Sequence, residues 1–353
     1  MDRNFNLSNG VLELEQNTLH RLLLPGSLGG LEGSLIDYST AVRSVSRHNG
    51  SIGWRLMIGA TLNGAVAAFA STDAVKKIFK NKSAPSKSVI IAGQTSPRGK
   101  VVTQGENLQI SGKFKFGSGL KAASWVLCGF IHPSNGEHKV AIIPKGKVRI
   151  QGGWDTFGLS DTDSLDYEID PVCVTPEFTF AHDSVSPERG SAIFCSGMVT
   201  VMLAGHIGFA LGIAEQALRD VTKLISSDRR SGKLIERDDF LIGYGREQAK
   251  LKSAIAYAAT VLDGIDRGVK SGSLCQEQKD DVRLAAIHST EVARDIVRFV
   301  FDYGGMEATS NDSRLNTAFK DMHVACQHLL VNSSQYKPIV ERMIEALNDD
   351  DRS

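Results

Sequence analysis

The sequence predicts a mainly α protein with a central β domain. Apolar residues recur at helical spacing up to about residue 86. They switch to alternation from 88 to about 185, and they return to helical spacing from about 190 onward. The boundaries that follow are a helical domain over 1–87, a β domain over 88–188 and a helical bundle over 189–353.

The first region carries Ala41, Val42, Val45, Ile52 and Leu56, then Val66, Phe69 and Ala70, at helical intervals. A Gly-rich loop from Pro25 to Gly33 interrupts it, and Asn81 to Ser86 ends it. In the second region Val89 to Ala92 reads as a strand. Leu108, Ile110, Phe114 and Phe116 alternate with polar neighbours. Trp125 to Ile131 and Lys139 to Ile143 flank the turn Pro133-Ser134-Asn135-Gly136, and Val148 to Ile150 and Asp166 to Ile169 add two strands. These pieces predict a small antiparallel sheet or β-barrel.

The third region predicts helices over 191–226, 238–269 and about 276–302, another from near Arg314, and a short one over 335–348. Val282, Ala285, Ser289, Val292, Ile296 and Phe299 form one stripe. Long helices with short links make an antiparallel bundle. From Ser191 to Ala214 there is no Asp, Glu, Lys or Arg, which is long enough to span a bilayer. Yet Ser191, Ser196, Thr200, His206 and four glycines interrupt it, so a helix buried inside a bundle is expected, not a membrane span.

The chain has 353 residues, with 40 Lys plus Arg against 40 Asp plus Glu. Zero net charge gives no support for binding a phosphate backbone. Five dispersed cysteines without a CxxC argue against a disulfide framework or zinc site, and they fit reduced thiols in a cytoplasm. The first residues lack the apolar stretch of a signal peptide.

Few motifs carry chemistry. Gly117-Ser118-Gly119-Leu120-Lys121-Ala122 matches a dinucleotide fingerprint formally, but a strand starts at Trp125, leaving no room for a crossover helix. His323 and His328, five apart on one expected helix, would point about 140° apart and so would not share a metal. Cys326, Ser333 and Ser334 have no evident partner carboxylate, and no metal site is expected. The residues alone single out two spots, Gly117 to Gly119 and Asp321 to His328.

Those spots belong to a longer series. Leu24 to Gly33 (LPGSLGGLEG), Asn49 to Trp54 (NGSIGW), Ile110 to Gly119 (ISGKFKFGSG), Trp154 to Leu159 (WDTFGL) with Thr162, Ser164 and Val172, Tyr303 to Gly305 (YGG) and Phe319 to His328 (FKDMHVACQH) occur in order. In order and spacing they resemble the acyl-CoA dehydrogenase fold, and within it the flavin-dependent monooxygenase branch, the oxygenase components of two-component systems. The resemblance implies N-terminal helices, a small antiparallel β-barrel, a C-terminal four-helix bundle and assembly as a homotetramer. It implies reduced FMN or FAD as cofactor, O₂ as co-substrate and a separate flavin reductase as partner. The implied reaction hydroxylates an aromatic or heteroaromatic small molecule through a flavin C4a-(hydro)peroxide.

By the same resemblance Thr95 and Ser96 meet the flavin ring, Phe116 packs beside it, and Ser118 lies at its reactive face. Gly304 and Gly305 let backbone approach a flavin. His328 matches the cavity histidine that serves as base. Some members carry a second histidine near the place of Met57, Ile58, Gly59 and Ala60 here, and the Pro25 loop comes early, implying a reduced first helix. A glutamate-bearing acyl-CoA dehydrogenase stretch is missing after His328, where no acidic residue occurs before Glu341. A flavin-dependent acyl-CoA dehydrogenase and a non-catalytic binding or assembly protein are the alternatives.

Overall fold

The computed structural model describes residues 19–79, 89–227 and 232–350. The N-terminal leader reading, the implied loss of a first helix and the Asn81 to Ser86 break fall outside them. Helix α1 (Leu35–His48) opens with a capping box: Asp37 N–H donates to Ser34 Oγ, and Ser34 N–H donates to Asp37 Oδ2. Asn49 ends α1 and caps α2 (Gly50–Phe69), its Oδ1 accepting from Ile52 N–H at 2.9 Å. Helix α3 (Thr72–Phe79) follows.

Seven strands come next: β1 (Ile91–Gln104), β2 (Asn107–Gly117), β3 (Trp125–Ile131), β4 (His138–Pro144), β5 (Val148–Ile150), β6 (Leu165–Val174) and β7 (Thr179–Ala181). Their order is β5-β6-β2-β1-β3-β4-β7. This corrects the expected antiparallel barrel: the sheet is open, edged by β5 and β7, and β1 pairs with β3 in parallel. The cause lies in β1, which pairs with β3 over Ile91 to Gly99 and with β2 over Lys100 to Gln104. Register breaks at Gln94/Pro97 and Pro97/Gly99, where proline has no N–H to give the ladder. The sequence reading has this strand only over Val89 to Ala92, ahead of Gly93, Pro97 and Gly99.

Helices α4 (Met198–Thr222), α5 (Asp238–Ser271), α6 (Gln276–Gly304), α7 (Met306–Thr309), α8 (Arg314–Ala325) and α9 (Tyr336–Asp350) complete the chain. The expected helix over 191–226 is broken: a 3₁₀ turn, Ala192–Ser196, precedes Gly197 at φ 87°, and only then does α4 begin. Its glycines let α1 come close. A Cβ on Gly208 would lie 2.2 Å from the Ser39 carbonyl oxygen, and one on Gly212 would lie 2.4 Å from that of Arg43. Helices α2 and α4 are each long and apolar enough to cross a membrane, and in both 89% of the most apolar window is buried in the fold. The C-terminal helices do not stand apart as a four-helix unit, because α1 and α2 cover α4 together with α6 and α8.

Two apolar cores result. Along β3, Val126, Cys128 and Phe130 face a core inside the folded sheet, while Leu127 faces the helices. Along β4, Ala141 and Ile143 face the sheet core, and Val140 and Ile142 face the helices. Tyr167 ties the two halves of the sheet, donating to the Leu127 carbonyl at 2.7 Å and accepting from Gln94 N–H at 2.8 Å.

Candidate active site

The seam between the helical core and the sheet holds Trp54, on α2 and 6% exposed. Its indole N–H donates to Ser118 Oγ at 3.0 Å. Ser118 Oγ is 2.8 Å from Ser164 Oγ, which is 2.7 Å from Thr162 Oγ1, and Thr162 donates to the Leu159 carbonyl at 2.8 Å. A hydroxyl has one proton, so the last bond sets the direction of the others. Thr162 must accept from Ser164, Ser164 from Ser118, and Ser118 from Trp54. What Ser118 still offers a ligand is a lone pair.

Leu159 anchors this chain. Its carbonyl also accepts from the Trp154 indole at 2.8 Å, and its N–H donates to Asp321 Oδ1 on α8 at 2.6 Å. Burial pushes the Asp321 carboxyl up to about 6. A Cβ on Gly158 would lie 2.3 Å from the Lys320 carbonyl group, so only glycine permits this approach. The WDTFGL and FKDMHVACQH stretches thus meet in space. Three of the non-glycine residues with positive φ belong to the hydroxyl chain or lie within two residues of it, Phe116 (62°), Leu159 (54°) and Asp163 (51°), a clustering common at functional sites.

On its other side Trp54 meets two histidines edge-on, with ring centroids 5.3 Å from His206 and 5.5 Å from His328. The two imidazoles are 4.5 Å apart. His206 on α4 is fully enclosed, and its Nε2 has no hydrogen-bond partner among the described residues. Burial, and then the neighbouring His328, holds His206 well below the usual histidine range. Burial pushes His328, half-buried by exposure, down to about 4. Both are therefore neutral near pH 7. His328 is not on a helix with His323, as the sequence suggested: α8 ends at Ala325, and His328 sits in the following turn. His323 donates to the Phe319 carbonyl and packs on that ring.

A cavity, partly open to solvent, adjoins Ser118. Its wall includes His20, Val45, Arg55, Gly59, Ser118 and Gly119, and among the described residues no carboxylate lines it.

The two residues expected to be catalytic, Ser118 and His328, are thus bridged by Trp54. The expected cofactor contacts are more scattered. Phe116 is 55% exposed and packs edge-on against Trp154 at 5.7 Å. Thr95 and Ser96 drop out of the β1–β3 ladder, and the Thr95 carbonyl accepts from His138 Nε2 at 2.7 Å. Gly304 and Gly305 end α6, where a Cβ on Gly304 would lie 2.6 Å from Ala308, and neither lines the cavity. Cys326 is raised to about 11 by burial, unsuited to a nucleophile. His138, His182 and Asp183 cluster within 4.8 Å, but the two rings stack with planes 10° apart, which aims their lone pairs alongside each other rather than at one point. Sequence reasoning missed His206 and His20. His206 was visible as the one histidine in a stretch from Ser191 to Ala214 that holds no Asp, Glu, Lys or Arg; no pattern marked His20.

Residues 204–333 match the family described as acyl-CoA dehydrogenase, C-terminal domain. The chain is 26% identical over 345 residues to the indole-3-acetate monooxygenase of Pseudomonas putida, covering 95% of this chain and 87% of that protein. Among solved structures, XiaF from a Streptomyces species, in complex with FADH₂ and glycerol, superposes with a TM-score of 0.81 at 16% identity, covering 91% of this chain and 84% of that one. TdsC from a Paenibacillus species, with FMN and indole, superposes with a TM-score of 0.75 at 22% identity, covering 91% and 85%. The chain therefore has the acyl-CoA dehydrogenase fold. The curated relatives it resembles along most of its length are named as monooxygenases.

Proposed function

We propose that this protein is a reduced-flavin-dependent monooxygenase that hydroxylates an aromatic or heteroaromatic small molecule. The observation that carries this reading is the Ser118–Trp54–His328 assembly beside a cavity that no carboxylate lines among the described residues. An acyl-CoA dehydrogenase needs a carboxylate base at that wall, so the lining disfavours it.

The residues fit a flavin. A planar apolar ring would cover the exposed Phe116, and the hydroxyls and backbone groups of Thr95 and Ser96, outside the strand ladder, suit a polar ring edge. Ser118 presents an acceptor, which matches the N–H that a reduced flavin carries at N5. Bound reduced flavin supplies the electrons that activate O₂. Around it, Trp54 and the hydroxyl chain fix the Ser118 lone pair. Neutral His328 accepts a hydrogen bond from a substrate hydroxyl or N–H, and takes the proton as positive charge builds there. The apolar packing about Trp54, His206 and Phe209 keeps water out. Gly304 and Gly305 in this reading serve a neighbouring subunit of a homotetramer. A separate cytoplasmic reductase supplies FMN or FAD in reduced form.

The test is to mix the protein anaerobically with reduced FMN or FAD, measure retention on ultrafiltration, then admit O₂ with an aromatic substrate. Retention of reduced flavin and hydroxylated product, in place of free hydrogen peroxide, is expected. Failure to retain flavin in either redox state refutes the enzyme readings and leaves a binding or assembly protein.

A further inference from the structure

His20 stands just before the first loop and belongs to no regular element of the site, yet it forms part of the cavity wall together with Ser118 and Gly119. Its backbone is held from α2: the Asn63 side-chain amide donates to the His20 carbonyl at 3.1 Å and to the Val89 carbonyl at 2.8 Å, while Asn63 Oδ1 accepts from Ile91 N–H. One turn earlier on α2, Gly59 leaves the room that the ring occupies. A Cβ there would lie 2.7 Å from His20 Nδ1. That nitrogen is buried and has no hydrogen-bond partner among the described residues. Burial, with the Arg55 charge second, pushes His20 down to about 4, so it is neutral near pH 7. Arg55 itself is engaged by Asp163 at 3.6 Å. A neutral imidazole carries one donor and one acceptor, and leaving either unmatched in an apolar wall is costly.

We propose that His20 is a substrate-positioning residue, which accepts a hydrogen bond from an N–H or O–H on the aromatic ring system that enters the cavity. The cavity would then select aromatics with a ring-borne donor over their alkylated counterparts. This rests on the monooxygenase reading for the identity of the occupant as substrate, but the binding preference itself does not need flavin.

The probes are indole, which has the donor, and 1-methylindole, which lacks it. Their affinities for the full chain are measured by calorimetry without flavin, for the native protein, His20→Leu and His20→Gln. One neutral hydrogen bond is worth about 2- to 12-fold in affinity, so the native protein should favour indole by that factor. His20→Leu should abolish the preference, and His20→Gln, which keeps a donor and an acceptor, should restore part of it. A thermal melt of each variant shows whether the fold survives, and reduced-flavin retention should be unchanged. A preference that persists in folded His20→Leu overturns the proposal, as does failure of the native protein to bind indole or to distinguish the two probes. Loss of flavin retention in the native protein would sink the monooxygenase reading while leaving the His20 preference standing.

Discussion

Asp321 offers a test of how the helical and sheet parts are joined at the site. Its carboxyl is 4% exposed, accepts from Leu159 N–H at 2.6 Å, and has no cation paired with it among the described residues. Burial places it at about 6, against an unfolded value of about 3.9. A carboxyl raised on folding is better protonated in the native state, so the native state binds more protons between those values. Stability is then fully present below about pH 4, falls as pH rises towards 6, and is level above that. A rise of about two units, at 1.36 kcal/mol each, makes the loss at pH 8 about 3 kcal/mol. Asp321→Asn keeps an acceptor for Leu159 and removes the charge. Urea unfolding of both proteins from pH 4 to 8 should show the variant gaining on the native protein as pH rises, by up to about 3 kcal/mol, with contributions from other groups cancelling in the difference. A stability difference that does not change with pH would refute the assignment.

Other expectations follow from the same geometry. His328→Ala should lower hydroxylation by about 100-fold or more without altering the protein's elution volume, and normal turnover would remove His328 as the proton acceptor. Ser118→Ala strands the Trp54 indole N–H and the Ser164 oxygen, and should cost about 1–3 kcal/mol in chemical denaturation together with weaker retention of reduced flavin. Gly158→Ala drives a methyl into the Lys320 backbone, so its melting temperature should fall by the equivalent of about 1–3 kcal/mol, and an unchanged melt would contradict the docking of this loop on α8. His20, His206 and His328 are all depressed on folding, so they stabilise above pH 6.5; His20 and His328 lose that contribution as pH falls through about 4, and His206, held well below the usual range, loses its own in the acid limb. A His328→Asn variant should show a shallower acid limb in the same titration.

The helices were legible because their apolar residues must face a core at a fixed period, and α5 and α6 fall within a few residues of the ranges read from the sequence. Strands β3 and β5 were equally plain. The course of β1 was not, since Pro97 and its glycines are tolerated through a bulge and a change of partner that only the neighbouring strands explain. That change of partner also decides between an open sheet and a barrel. At the candidate site, the resemblance singled out Ser118 and His328, which the structure brings to opposite sides of Trp54, and it quoted Thr162 and Ser164 without a role. Their roles come from proton direction along hydroxyls that sequence cannot order. His20 was invisible because the feature that gives it a place is the absence of a side chain at Gly59, on another element.

Trp54 and Ser118 are 64 residues apart, and Leu159 and Asp321 are 162 apart, yet each pair is joined by one hydrogen bond. Contacts of such sequence separation form late and slow folding, because a long loop must close before they reward it. The site is accordingly a product of the completed chain, with no segment able to carry a partial version. A nascent chain released before α8 emerges would lack the anchor for Leu159, and its hydroxyl relay would have no fixed end. Capture of a ligand during refolding should therefore lag behind helix formation and report the final docking of α8.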